Sequence, residues 1–179
     1  MAFRGKRSES QGSDLSLTPE EWDEKARGLI LARLTRGPRS KHQLAALLAQ
    51  KGVPEDVALP LLDRFEEVGL IDDEAFARAF AHDRRESRGL SRSALKRELA
   101  SHGVATSHIE EAIGDIQPED DLELATALVR KRWSSVARLE PDARYRRLSG
   151  FLGRRGFSGS AISTAIRTVA DEARNQPEA

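Results

Sequence analysis

The chain has no cysteine, so disulfides and thiolate metal sites are excluded. No apolar run approaches the roughly 18 residues a membrane span requires. Val and Ile are scarce beside Ala, Leu, Arg and Glu, which disfavours sheet and favours helix. Net charge is also absent, with 29 basic residues against 29 acidic ones. The N-terminus is charged and has no following apolar segment, so no signal peptide is expected and a cytoplasmic protein is. No phosphate loop, nucleophile elbow or Ser-His-Asp arrangement can be found. His42, His82, His102 and His108 show no ligand-like spacing with acids, so no zinc site is expected. No metal or cofactor is called for, and the chain does not read as an enzyme.

What the sequence does hold is helix punctuation. Leu, Ile, Val and Phe make up 41 of 179 residues, enough for thin cores rather than disorder. Residues 1–17 are polar and read as a tail. Thr18-Pro19-Glu20-Glu21 is a helix start, with Thr as cap, Pro at the first position and Glu at the third. Trp22, Ala26, Leu29, Ile30 and Leu34 then form one apolar face, and Gly37-Pro38 ends it. Ser40 to Gln43 is a second capping box, followed by Leu44, Leu47 and Leu48 and stopped by Gly52. A third helix carries Leu61, Leu62, Phe65 and Val68 up to Gly69, with Pro60 either in its first turn or kinking it. Asp72 or Asp73 caps the next helix, which presents Phe76, Ala79 and Phe80. Gly89 stops that helix, and Ser91 caps its successor.

The pattern repeats. An offset of 51 carries Leu44, Leu48, Gly52, Val53 and Leu62 onto Leu95, Leu99, Gly103, Val104 and Ile113. A further 53 carries these onto Leu148, Leu152, Gly156, Phe157 and Ile166, and Ile109 onto Ile162. Each unit of about 50 residues is marginal alone and gains stability by packing on its neighbour. The fold class is all-α: three tandem three-helix repeats forming an elongated, curved array. Their expected bounds are 18–70, 71–117 and 118–171, with a frayed tail at 172–179. In the third, helices fall near 119–134, 143–155 and 158–173. Leu122, Ala125, Leu128, Val129 and Trp133 face the core of the first of these.

Charge alternates in step with the repeat. Arg84, Arg85, Arg88, Arg92, Lys96 and Arg97 cluster against Glu86 alone. Arg130, Lys131, Arg132, Arg138, Arg144, Arg146, Arg147, Arg154 and Arg155 cluster against Glu140 and Asp142. An acidic block, Asp63 to Glu74, precedes the first cluster, and another, Glu110 to Glu123, lies between the two. Two readings stand open: solvated helix faces with weak internal ion pairs, or stripes offered to a charged polymer, for which guanidinium is suited.

Gly69-Leu-Ile-Asp-Asp-Glu-Ala-Phe-Ala-Arg-Ala-Phe80, with Arg84, Gly89-Leu-Ser91, Leu95, Glu98-Leu99 and Gly103-Val104, resembles the RecX regulatory family. Arg147-Leu-Ser-Gly-Phe-Leu-Gly-Arg-Arg-Gly-Phe157, with Ile162, resembles that family's C-terminal signature. The resemblance spans about residues 25–170. It implies a non-enzymatic protein that binds the RecA recombinase, lodges in the groove of its nucleoprotein filament and restrains its ATPase, strand exchange and LexA-cleaving coprotease activities. Such a role belongs to homologous recombination, DNA repair and the SOS response. On that basis the expected partner surface is Arg84, Arg85, Arg88, Arg92, Lys96 and Arg97, then Arg130, Lys131, Arg132, Arg146, Arg147, Arg154 and Arg155. The expected partners are the RecA filament and DNA phosphates, and the chain is expected to be a monomer. A direct DNA-binding helical module and a scaffold for some other protein are the alternatives.

Overall fold

The computed structural model describes residues 17–175, and the tail expected at 1–17 lies, except for Leu17, outside them. Nine helices and no strand form among the described residues: α1 (Pro19–Leu34), α2 (Lys41–Gln50), α3 (Glu55–Glu67), α4 (Asp73–Arg88), α5 (Arg92–Ser101), α6 (Thr106–Ile113), α7 (Pro118–Trp133), α8 (Pro141–Gly153) and α9 (Gly159–Asn175). They group as two compact units, one ending at Asp72 and one beginning at Asp73. No helix among them is long and apolar enough to cross a membrane.

The caps account for the helix starts. The Thr18 hydroxyl accepts from the Glu21 N–H at 3.3 Å while the Thr18 N–H donates to Glu21 Oε2 at 2.8 Å. Ser40 and Gln43 repeat this arrangement at 3.2 and 3.1 Å, and the Ser91 hydroxyl accepts from the Ala94 N–H. Both serines are buried, and these hydrogen bonds offset their desolvation. Asp72 stands directly before α4, with Asp73 and Glu74 in its first turn, where the helix dipole favours acids.

The repeated Leu-x-x-x-Gly-apolar pattern is a helix ending. At Gly52, Gly103 and Gly156 the glycine takes a positive φ. The next residue, Val53, Val104 or Phe157, donates its N–H back to the carbonyl of Leu48, Leu99 or Leu152. This is the Schellman closure, whose apolar contact spans the same two positions. All six of these side chains are buried. Burial extends to Leu44, Leu95 and Leu148 and to Leu62, Ile113 and Ile166, so the repeat in sequence is a repeat of core positions.

The first unit packs Trp22, Ala26 and Ile30 of α1 against Leu44 and Leu48 of α2 and Leu61, Leu62 and Phe65 of α3. Val68, expected on that face, is instead 64% exposed. It occupies the C-cap of α3, and the Gly69 turn sends Ile71 into the core in its place. Pro60 lies inside α3 rather than in its first turn.

The second unit has two cores. Phe76, Ala77, Leu95, Leu99, Ile109 and Ile113 build that of α4–α6. Ala125, Val129, Leu148, Leu152, Ile162 and Ile166 build that of α7–α9, with Leu122, Leu128 and Trp133 partly buried against it. Helix α9 continues to Asn175.

A candidate interaction surface in the second unit

The two basic stretches meet different neighbours. The acidic block at 110–123 folds back on the first of them. Glu110 pairs with both Arg92, at 3.0 Å, and Lys96. Those cations hold the Glu110 carboxyl below its ordinary value, Lys96 contributing most. Arg92 also donates through Nε to the Ile113 carbonyl at 3.1 Å. Arg85 donates to Asp121 at 2.7 Å and to the Leu90 carbonyl at 3.2 Å. Asp121 in turn accepts the backbone N–H of Arg92, the first residue of α5, at 3.1 Å. Both side chains of the Arg85–Asp121 pair are about four-fifths buried. Arg84 contacts Asp83 at 2.9 Å and Glu98 at 3.6 Å, and lies over the Phe80 ring at 4.8 Å. Within this stretch only Arg88 and Arg97 have no carboxylate within 4 Å among the described residues; Arg97 donates to the Ser93 hydroxyl.

The second stretch is mostly left without acids. Among the described residues Arg130 alone is paired, gripping Glu172 through Nε at 2.8 Å and Nη2 at 2.6 Å. Lys131, Arg132, Arg146, Arg147 and Arg154 are exposed, and no ion pair among the described residues includes them. Arg132 lies over one ring, Phe151, at 4.5 Å, and Arg155 lies over the same ring at 3.9 Å. Arg155 donates to the carbonyls of Phe151 (3.2 Å) and Arg88 (2.9 Å). Its guanidinium is pushed below its ordinary value by burial, and further by Arg132 and Arg154 beside it.

Arg155 and Asp121 also build the joint between α4–α6 and α7–α9. The Ser91 N–H donates to the Arg155 carbonyl at 3.0 Å. A Cβ on Gly156 would stand 2.8 Å from both Ala94 Cβ and Ser91 Oγ, and one on Gly89 would stand 2.9 Å from Leu128. The turn at 88–92 is thus held from α7 on one side and from the α8–α9 turn on the other.

One grouping had no signal in the sequence. Ligand atoms of Glu74, His108 and Glu111, from α4 and α6, lie within 4.8 Å of one another. Arg78 bridges both glutamates, so a guanidinium already offsets part of their charge.

The chain matches two models of one family: RecX, second three-helix domain, over residues 72–113, and RecX, third three-helix domain, over 119–166. The regulatory protein RecX of Streptomyces coelicolor is 40% identical over 154 residues, covering 86% of this chain and 82% of that one. This chain belongs to the RecX family. The RecX of Thermobifida fusca is 38% identical over 152 residues, 85% of this chain and 82% of its own. The crystal structure of RecX from Lactobacillus salivarius superposes with a TM-score of 0.72 at 17% identity, over 84% of this chain and 98% of that one. A second RecX crystal structure gives 0.71 at 22%, over 93% and 81%. These two likenesses confirm the all-α fold, and the relatives are named as regulatory proteins, not enzymes.

Proposed function

We propose that the chain regulates the RecA recombinase by binding its nucleoprotein filament and restraining its ATPase, strand exchange and coprotease activities in the cytoplasm. The observation that carries this reading is the set of cations left without carboxylates in the second unit, within a chain of the RecX family. Arg88, Lys131, Arg132, Arg146, Arg147 and Arg154, with the donors that Arg97 does not give to Ser93, are left for a partner, and charge-assisted hydrogen bonds to carboxylate or phosphate are the contacts such donors make. Arg85, Arg92 and Lys96 spend theirs inside the fold.

The test is RecA's DNA-dependent ATPase with the purified chain added below one copy per RecA. The wild type inhibits, and a folded Arg132→Glu/Arg147→Glu variant inhibits at least tenfold less well. Equal inhibition by the two would remove these residues from the reading. A direct DNA-binding module is the second reading, favoured by the same unneutralised arginines. It predicts a log–log salt slope of about −5 for about six phosphates on bare DNA, and a flat salt dependence would eliminate it.

A further inference from the structure

Among the described residues of the second unit, most cations of the first stretch, with Arg78 and Arg130, are answered by acids; Arg88 and Arg97 are not. Arg85 has Asp121, Arg92 and Lys96 share Glu110, Arg130 has Glu172, and Arg78 has Glu74 and Glu111. Around Phe151 the opposite holds. Arg132 at the end of α7 and Arg155 after α8 converge on one ring, Arg154 is adjacent, and no carboxylate lies within 4 Å of any of the three among the described residues. Helix C-termini and the two carbonyls bonded by Arg155 offset part of this charge, but carbonyls carry no formal charge. Like charges held together without a counter-ion are unfavourable, and here burial adds to the cost. Arg155 is also fixed in advance, since ring stacking and two carbonyl bonds leave it little freedom.

We propose that Arg132, Arg154 and Arg155 form a seat for one phosphate group, and that filling it stiffens the joint between α4–α6 and α7–α9. Three guanidiniums match a dianion with several oxygens better than a carboxylate, which one guanidinium fork already satisfies. The coupling runs through Arg155. The residue that faces the phosphate also bonds the Arg88 carbonyl through Nε and accepts the Ser91 N–H through its own carbonyl. Neutralising the repulsion from Arg132 and Arg154 removes a force that pushes Arg155 off these partners. This inference deepens the reading of the same surface as a partner site, and it is tested without RecA, so either can fail alone.

The probe is sodium pyrophosphate at constant ionic strength, followed by calorimetry and by amide hydrogen exchange. Pyrophosphate binds saturably to the wild type and slows exchange at Ser91 and Arg92 at least fivefold, leaving Val53 in the first unit unchanged. Arg132→Gln/Arg154→Gln, which alters two exposed side chains, loses binding at least tenfold together with the slowing. Arg33→Gln/Arg36→Gln keeps both. Competition by a short oligodeoxythymidylate identifies the phosphate's owner as a nucleic-acid backbone, and its failure to compete points to a free phosphate compound. No saturable binding, binding that survives in the Arg132/Arg154 variant, or equal binding of glutarate overturns the seat. Binding without slowed exchange at Ser91 and Arg92 overturns the coupling.

Discussion

The two basic stretches of the second unit look alike along the chain and end up unlike in the fold. Residues 84–97 hold six cations against Glu86, and 130–155 hold nine against Glu140 and Asp142. The first stretch loses Arg85, Arg92 and Lys96 to the acidic block at 110–123 and Arg84 to Asp83 and Glu98, while among the described residues the second keeps all but Arg130 from carboxylates. Linear charge density therefore does not report available charge. What decides is whether a carboxylate from another helix falls within reach, and the fold sets that.

The comparison is broken most severely by removing the joint that brings the stretches together. Gly156 has a φ of 83°, and any Cβ there meets Ala94 and Ser91 at 2.8 Å, whereas Gly52 has a similar φ of 75° but meets nothing within 4 Å. Gly52→Ala is expected to cost about 1–2 kcal/mol for the left-handed backbone alone. Gly156→Ala adds about 1–3 kcal/mol of overpacking. Denaturant unfolding of the two variants checks the difference, and equal costs would mean the joint yields easily.

Next comes Asp121, whose carboxylate serves Arg85 and the first N–H of α5 at once. Asp121→Ala leaves a largely buried guanidinium and a helix-end N–H unpaired. The expected loss is about 2–3 kcal/mol. Glu110→Ala, in an exposed pair with Lys96 and Arg92, is expected to cost far less. Chemical denaturation of both variants side by side decides this. A loss for Glu110→Ala as large as for Asp121→Ala would show that burial does not separate the two pairs.

A third contrast concerns function rather than stability. Arg132→Gln/Arg154→Gln is expected to raise the concentration needed to inhibit RecA's ATPase about tenfold, or about 1.4 kcal/mol of binding. Arg92→Gln/Lys96→Gln, whose charges already meet Glu110, is expected to change it less than about twofold. The reverse ranking would return the functional surface to residues 84–97.

Much of this fold was legible in the sequence because its signals are local. Thr18–Glu21, Ser40–Gln43, Ser91 and the glycines at 52, 69, 89, 103 and 156 act within one turn of their own helix, and each does in the structure what its residue type implies. The offsets of 51 and 53 found the core because a Schellman ending ties its glycine to two apolar neighbours. Val68 misled because helical spacing continues on paper past the point where Gly69 ends the helix. The candidate surface was legible only as composition. Arg85 and Asp121 are separated by 36 residues, and Arg155 and Arg88 by 67. No periodicity within a helix encodes such pairs. The grouping of Glu74, His108 and Glu111 was hidden for the same reason.

The smallest effect sharpens the exception in the second stretch. Among the described residues Arg130 is the one cation there with an acid, and it holds Glu172 by two donors between α7 and α9. The hydrogen bonds from Arg130 pull the Glu172 carboxyl below its ordinary value of 4.5. A carboxyl depressed in the folded state stabilises above its unfolded value, and that stabilisation is lost as pH falls through the folded one. Glu172→Gln is therefore expected to lower the unfolding midpoint slightly at neutral pH. Both groups are exposed, so screening keeps the shift small and added salt shrinks it further. As pH falls through the folded value the wild-type side chain becomes neutral and resembles glutamine in charge and shape, so the two proteins converge. Thermal melts of the pair at neutral and acid pH follow this directly. A difference that persists undiminished in acid would show that Glu172 acts through packing of α9, and that Arg130 is held by shape rather than by charge.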